Sequence, residues 1–174
     1  MYNCTRLINV EIPDTIEEIN SGAFLECQKL VEVTIPENVT YLGSNSTFSG
    51  CIRLTTVTVE GDITQIPDHL FSDCVKLTNF TIPDSVTYIG YGAFQYCENL
   101  EVITIPDGVT AIAAQAFSGC TTIRTVDLND VEEIGDMAFY QCQSIESIDL
   151  KKVTKLGTGV FSYCLGLDEL IFPR

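Results

Sequence analysis

Cysteine recurs through this chain at a nearly constant interval. The gaps between successive cysteines are 22 to 24 residues, and the eight of them are Cys4, Cys27, Cys51, Cys74, Cys97, Cys120, Cys142 and Cys164. Three residues before each cysteine from the second onward stands a phenylalanine: Phe24, Phe48, Phe71, Phe94, Phe117, Phe139 and Phe161. A fixed period of this length is typical of stacked copies of one structural unit. The spacing predicts one domain, 1–174, of about seven repeats that begin at Cys4 through Cys142, with a partial repeat from Cys164.

Each repeat contains a segment with the pattern of a short strand. Apolar residues stand three, six and eight positions after each cysteine, as in Leu77, Phe80 and Ile82. Alternation of apolar and polar residues at the end of the segment is typical of a strand with one buried face. Proline ends the segment in five repeats because it has no N–H to donate to a ladder. These residues are Pro13, Pro36, Pro83, Pro106 and Pro173.

The remainder of each repeat contains a second apolar pair, such as Val86 and Ile89, and then the stretch A-F-x-x-C. The three-residue spacing of the pair fits either an extended piece or a helical turn, and the sequence leaves both open. A glycine turns the chain after the pair in four repeats, at Gly43, Gly90, Gly135 and Gly157. The A-F-x-x-C stretch is short enough for a single helical or 3₁₀ turn, which is what we predict there.

Two consecutive repeats, IPDSVTYIGYGAFQYC and IPDGVTAIAAQAFSGC, carry a recognisable motif. The pattern C-x-x-L-x-x-V-x-I-P-x-x-V-x-x-I-G-x-x-A-F-x-x-C resembles the BspA-like leucine-rich repeat family over essentially the whole chain. The resemblance implies an α/β-type leucine-rich-repeat solenoid, mostly β with short helical or 3₁₀ turns, right-handed and curved, with a parallel sheet on its concave face. It also implies a surface or secreted protein of a bacterium or protist parasite that adheres to host or extracellular-matrix proteins.

Several repeats depart from this pattern without losing their core positions. The second has an extra residue in GSNSTF, and the third has Glu60 in place of proline and Pro67 in place of glycine. The last two replace the proline with Asn129 and Lys151. We expect local changes in the loops, with the core intact.

The polar positions between the buried strand residues predict the binding surface. Residues five and seven positions after cysteine point away from the core of a half-buried strand. The candidate binding residues are Glu32, Thr34, Thr56, Thr58, Asn79, Thr81, Val102, Thr104, Thr125, Asp127, Ser147 and Asp149. Threonine also suits any exposed sheet, so a purely structural role stays open. Asp127 and Asp149 should be neighbours with Glu146 beside them, and this like-charge arrangement favours a cationic partner.

The net charge of −15 disfavours nucleic acid and anionic membranes as partners. The first 13 residues contain no signal peptide, and no apolar run reaches the roughly 18 residues that span a bilayer.

A basic stripe is formed by the residues two positions after each of the first four cysteines, which are Arg6, Lys29, Arg53 and Lys76. The turn acids Asp14, Glu37, Asp84 and Asp107 would line the other rim. The stripe either covers the core with its long stems or orients a charged partner.

No group of residues indicates catalysis, a cofactor or a metal. His69 is the one histidine, and its nearest thiol in sequence, Cys74, lies in the predicted core. One cysteine per repeat does not supply the close ligand pairs of zinc sites. Aligned side chains rarely have disulfide geometry, so we predict free, buried thiols.

Two further features bear on location and assembly. N-x-S/T sequons occur at Asn3, Asn38, Asn45 and Asn79, and they favour secretion only slightly because threonine is abundant. The final strand segment would leave Leu167, Leu170 and Phe172 partly exposed. Bare ends of a sheet template association, so the alternative function is a structural spacer or an end-to-end assembly unit of a longer array.

Overall fold

Short strands alternate between two sides of the coiled chain in the computed structural model, which describes residues 3–172. The first side consists of β1 (Glu32–Ile35), β2 (Thr56–Val59), β4 (Asn79–Thr81), β6 (Val102–Thr104), β8 (Thr125–Asp127), β10 (Ser147–Asp149) and β12 (Glu169–Ile171). The second side consists of β3 (Gln65–Ile66), β5 (Tyr88–Ile89), β7 (Ala111–Ile112), β9 (Glu133–Ile134) and β11 (Lys155–Leu156). The first-side strands are the segments that the alternating pattern predicts.

All strand pairs are parallel, and each residue pairs with its counterpart one repeat later. On the first side β1 and β2 form one sheet, and the five strands β4, β6, β8, β10 and β12 form another. The second side is a single five-stranded sheet. Thr81 pairs with Thr104, for example, and Thr104 with Asp127. Because the register equals the repeat length, equivalent side chains stack on one another along the chain. The architecture is a right-handed parallel β-solenoid.

The solenoid makes about six turns, so the predicted number of about seven is wrong. Seven strands stand on the first side, and six turns of chain separate them.

The predicted helical or 3₁₀ turn is also wrong, since residues 3–172 contain no helix. In each repeat the residue five before cysteine and the residue one before it have positive φ, as in Gly92 (φ 57°) and Tyr96 (φ 59°). A helix requires consecutive right-handed residues, and two left-handed residues four apart prevent it. The stretch is instead a pair of tight turns, in which Gln95 N–H donates to Gly92 O and Cys97 N–H donates to Phe94 O.

These turns form a third ladder of hydrogen bonds between repeats. The N–H of Phe94 donates to the carbonyl of Ala116 at 2.7 Å, and the N–H of Phe117 donates to that of Ala138 at 2.8 Å. The conformation of the second apolar pair, for which the sequence allowed either an extended piece or a helical turn, is extended. The pair ends in the two-residue strands of the second side, β3, β5, β7, β9 and β11. Every part of the repeat therefore bonds to its neighbour, which satisfies the backbone without a helix.

A single continuous core runs between the two sides. Phe94 and Phe117 are fully buried, and their rings stack with centroids 5.2 Å apart. The phenylalanines from Phe24 to Phe161 form an unbroken column with successive centroid separations of 5.1 to 5.9 Å. The cysteine and strand columns pack around it. The columns read from the sequence are therefore the core.

The repeats that depart from the pattern differ locally, as expected. Glu60 stands where proline is usual, and its N–H donates to the carbonyl of Ile35 at 2.9 Å, so the β1–β2 ladder gains a bond that proline would prevent. These two strands are four residues long, against three for the later strands of the same side. Pro173, predicted to end the last strand, lies outside the described residues.

Candidate functional site

The twelve candidate binding residues all lie on the first side of the solenoid with exposed side chains. Their alternation with buried neighbours is complete, as in β6, where Val102 and Thr104 are exposed and Ile103 is buried. They form two rows that cross the strands: an inner row five positions after each cysteine and an outer row seven positions after it. We call this surface the strand face. Successive residues in a row are separated by the inter-strand distance of roughly 4.8 Å.

The outer row is a ladder of hydroxyl groups that changes to carboxylates. Thr34 pairs with Thr58 in one sheet, and Thr81, Thr104 and Asp127 follow in the other. Each hydroxyl both donates and accepts a hydrogen bond. The inner row contains one exposed apolar side chain, Val102, with 57% of its surface exposed. The face is thus polar, regular and adaptable to hydrogen bonding, with an apolar centre.

Two shallow depressions lie on the strand face. One of about 380 Å³ is lined by Val102, Thr104, Thr125, Asp127, Ser147, Asp149 and Ile171, among others. The other, of about 350 Å³, lies toward the first strands and is lined by Asn9, Glu11, Glu32, Thr34, Thr56, Thr58 and Glu60, among others. Both are open to solvent, which suits contact with a convex surface or a chain segment better than enclosure of a small molecule.

The two aspartates of the strand face also have a local structural role. Asp127 Oδ1 accepts a hydrogen bond from the N–H of Asn129, and Asp149 Oδ1 accepts one from the N–H of Lys151. These are the two repeats in which Asn129 and Lys151 replace proline, so an N–H is available for the carboxylate to bind. Aspartate two positions earlier thus accompanies the loss of proline, a correlation that is visible in the sequence once the two positions are compared with each other.

Three lysines compensate the acidic end of the molecule. The Lys151 ammonium donates to Asp149 Oδ2 at 2.7 Å, and Lys152 and Lys155 pair with Asp130 and Glu133. The hydrogen bond from Lys151 lowers the pKa of Asp149 below its ordinary value. Because Asp149 has this partner, the predicted repulsion between Asp127 and Asp149 is smaller than the sequence suggested, and it argues less strongly for a cationic partner on this face.

The basic stripe is exposed along one edge of the first four repeats. None of Arg6, Lys29, Arg53 and Lys76 forms an ion pair within residues 3–172. In the next three repeats the same position holds Asn99, Thr122 and Ser144, which donate to carbonyls of the preceding repeat. The position is therefore a place for inter-repeat hydrogen bonds in one half of the chain and for free cations in the other.

No cysteine within residues 3–172 forms a disulfide bond, and the buried thiols stabilise the stack. From Cys51 onward each Sγ donates a hydrogen bond, 3.0–3.3 Å long, to the carbonyl of the phenylalanine that lies 25 to 27 residues earlier. Burial is the largest cause of their raised pKa values; it raises the pKa of Cys51 to about 12 and that of Cys164 to about 11, and that of Cys74 well above its ordinary value. A buried thiol that keeps its proton is a poor nucleophile. Their spacing in the sequence predicts small buried residues and gives no sign of these hydrogen bonds.

Within residues 3–172, no cluster of histidine, cysteine and acidic side chains is arranged to hold a metal ion. His69 packs its ring edge against Tyr91, with centroids 4.9 Å apart. The described part of the chain includes no helix with the length and apolarity to span a bilayer.

The profile of the BspA type leucine rich repeat region matches six times, across residues 1–110 and 64–174. The chain belongs to this family. Its structure resembles a leucine-rich repeat protein of T. pallidum, with 28% identity and a TM-score of 0.81 over 92% of this chain and 78% of the other. It also resembles one from Bacteroides ovatus, at 24% identity and a TM-score of 0.77, covering 99% of this chain and 57% of the other.

The pneumococcal vaccine antigen PcpA has the same fold, at 15% identity and a TM-score of 0.57 over 96% of this chain. The chain spans 62% of the length of PcpA and a little over half of the Bacteroides ovatus protein. Curated protein sequences include no match.

Proposed function

We propose that this BspA-type solenoid is a protein-binding module that recognises its partner through the strand face. One observation supports the proposal most directly: twelve polar or small side chains from six strands stand exposed and in register on one surface. A rigid sheet positions such groups at little entropic cost on binding. The strand face spans six strands, or roughly 24 Å across the strands at the usual spacing, which suits a protein partner.

The proposed setting is the cell surface or the extracellular space, and the proposed partner is a host or extracellular-matrix protein. Family membership supports this, because the BspA-like resemblance implies adhesive surface proteins. The description of PcpA as a vaccine antigen agrees with such a setting for a protein of the same fold. The open depressions and the buried thiols support binding over catalysis.

A matched pair of triple variants tests the face. T81K/T104K/D127K places three lysines on the strand face, and T87K/T110K/E132K places three at exposed positions before the second-side strands. Both changes alter the net charge by the same amount. We expect the first variant to lose capture of extracellular-matrix proteins in a pull-down while the second retains it, with circular dichroism showing both folded. Equal capture by the two variants would exclude the strand face.

A second candidate function, end-to-end association, is favoured by apolar side chains exposed in the last described turn. Leu165 is 77% exposed and Phe172 is 58% exposed, and Leu170 beside them is half-buried. Edge strands with such residues template pairing with another chain. Light scattering across a concentration series should show association that L170K or F172K abolishes. A wild-type chain that stays monomeric at the highest concentration removes this candidate.

A further inference from the structure

The second side of the solenoid exposes tyrosines that are far from the strand face. Tyr41, Tyr88 and Tyr91 belong to the second and fourth repeats, and 38–40% of the surface of each is exposed. An exposed tyrosine presents a large rigid apolar area and a polar hydroxyl to a partner. It is also among the residues enriched at the energetic centres of interfaces.

Two residues of the third repeat hold Tyr91 in place. Asp68 Oδ1 accepts a hydrogen bond from the N–H of Tyr91 at 2.7 Å, and the N–H of His69 donates to the carbonyl of Tyr91 at 2.8 Å. The His69 ring then meets the Tyr91 ring edge to face, 4.9 Å between centroids. Backbone and ring are therefore both fixed, and the exposed face of Tyr91 is preorganised.

Glycines on both sides of Tyr91 make room for these two side chains. A Cβ on Gly90 would lie 2.6 Å from Asp68 Oδ1, and a Cβ on Gly92 would lie 2.7 Å from His69 Nδ1. The next repeat has Ala113 and Gln115 at the two glycine positions. The Gly-Tyr-Gly segment of repeat four therefore fits against the Asp-His pair of repeat three. That pair directly follows Pro67, which replaces the usual glycine of repeat three.

Asp68 brings a negative charge next to the tyrosines. Its Oδ1 binds the Tyr91 N–H, and its Oδ2 has no hydrogen-bond partner within residues 3–172. Partial burial raises the pKa of Tyr88, and the negative charge of Asp68 raises it further. On the other flank of Tyr88 the paired residue is the small Ala111, which leaves the ring accessible.

We propose that Asp68, Tyr88 and Tyr91, which we call the tyrosine patch, form a receptor for an arginine or lysine side chain on a basic segment of a protein partner. Aromatic faces attract cations, and arginine in particular stacks on them. A carboxylate beside the rings supplies the charge-assisted hydrogen bond. The net charge of −15 steers a basic segment toward the surface. The patch is separate from the strand face, so one module has surfaces for two different contacts.

Peptide binding to variants of the patch tests this assignment. The probe is the peptide acetyl-Gly-Arg-Gly-Arg-Gly-amide, and its control contains neutral citrulline in place of arginine. Titration calorimetry at low salt should show Y88L/Y91L binding the arginine peptide roughly five-fold or more weakly than wild type, because two cation–π contacts are lost. Y88F/Y91F keeps the rings and should bind within about two-fold of wild type.

Matched controls separate the patch from general attraction to an acidic protein. D68N should weaken binding, whereas D107N removes the same charge from an exposed turn and should leave it within about two-fold. Y140L/Y163L removes two tyrosines of later repeats, whose rings meet edge to face with centroids 5.3 Å apart, and should also bind normally. Amide shifts in an NMR titration should concentrate on residues 66–69 and 88–92.

Four results would overturn the proposal. The first three are wild-type affinity in Y88L/Y91L, equal weakening by D68N and D107N, and amide shifts spread over all acidic residues. The fourth is retained binding of the citrulline peptide, which would exclude a cation as the recognised group. Urea midpoints of the variants close to wild type show that the fold is intact. Capture of matrix proteins by the strand face uses a different probe and different variants, so the two proposals fail separately.

Discussion

A middle repeat and the last repeat have almost the same sequence pattern and very different surroundings. In repeat four Phe94 is fully buried, with its ring between those of Phe71 at 5.6 Å and Phe117 at 5.2 Å. In the last described repeat Phe161 stacks on Phe139 at 5.9 Å and is only half-buried. Ile89 and Leu156 hold the same position of the second side, yet one is fully buried and the other 46% exposed.

The difference shows that the apolar side chains of a repeat are buried by the neighbouring repeats. One repeat cannot bury its own apolar side chains. A unit of about 23 residues has a single layer of side chains, which becomes a core only when layers lie above and below it. The strand face behaves in the opposite way: Thr104 and Asp149 are exposed alike in the middle and the last repeats. The core and the strand face are therefore set by different features of the same pattern.

The largest expected effect is a loss of stability at alkaline pH. Burial raises the pKa of Cys74 and Cys97 well above the ordinary value of 9.0. Between pH 9 and the folded pKa the unfolded chain loses these protons and the folded chain keeps them. The free energy of unfolding therefore falls as pH rises above 9, by about 1.4 kcal/mol per pH unit for each such thiol.

Urea unfolding at pH 8, 9 and 10 measures this slope. Cys97→Ala should lower it by one thiol's contribution over the whole range. The pKa of Cys164 is about 11, so between pH 9 and 10 Cys164→Ala should lower the slope by nearly the same amount, and its effect should disappear only above pH 11. A free energy of unfolding that does not change between pH 9 and 10 would contradict the burial of the thiols.

Truncation of the phenylalanine column should cost more in the middle than in the last repeat. Phe94→Ala removes a ring with neighbours on both sides and should reduce the free energy of unfolding by about 3–5 kcal/mol. Phe161→Ala removes a half-buried ring and should cost about half as much. Urea unfolding at pH 7 measures both, with Phe94→Leu as a milder control. Equal losses would mean that stacking on both sides is not what stabilises the middle repeats.

A methyl group added at Gly90 should destabilise the junction of repeats three and four. Its Cβ would approach the Asp68 N and Ile66 O atoms to 2.7 Å, where the backbone has little room to move. We expect Gly90→Ala to cost roughly 1–3 kcal/mol in thermal or urea unfolding. At Gly108 the nearest atoms are carbonyl oxygens at 3.3 and 3.4 Å, so Gly108→Ala should stay within about 0.5 kcal/mol of wild type. Similar losses at both glycines would show that close approach is not the cause.

The smallest expected effect compares one rim position in two adjacent repeats. The Asn99 side chain donates to the carbonyl of Val75 at 2.5 Å, whereas Lys76 has no ion-pair partner within residues 3–172. Asn99→Ala should therefore cost about 1 kcal/mol, and Lys76→Ala less than about 0.5 kcal/mol. Differential scanning calorimetry resolves the two. A larger loss at Lys76 would assign the basic stripe a role in covering the core.

Much of the fold could be predicted because each strand position repeats the same local choice. Leu100, Ile103 and Ile105 are buried as their spacing from Cys97 predicts, and all twelve strand-face residues are exposed as predicted. The turn before each cysteine was predicted wrongly for a physical reason. Its left-handed residues include Glu26, Tyr96 and Gln141, and such residue types do not reveal a positive φ in the sequence.

The strand face and the tyrosine patch also differ in how far the sequence could predict them. The strand face depends only on the alternation within a strand, so it could be read one repeat at a time. The tyrosine patch depends on a contact between Asp68 and Tyr91, which are 23 residues apart and are joined only by stacking. The hydrogen bonds from the cysteine thiols to phenylalanine carbonyls likewise cross from one repeat to the next.

The sequence alone determined the repeat, its length and the inward and outward columns, because a strand alternates its faces locally and the chain repeats that alternation at a constant step. Only the tertiary structure decided how many complete turns form, how the chain turns before each cysteine and which copies of a column are fully buried. It also decided which side chains of neighbouring repeats meet. Those properties depend on the layer above and the layer below, and no single repeat contains either of them.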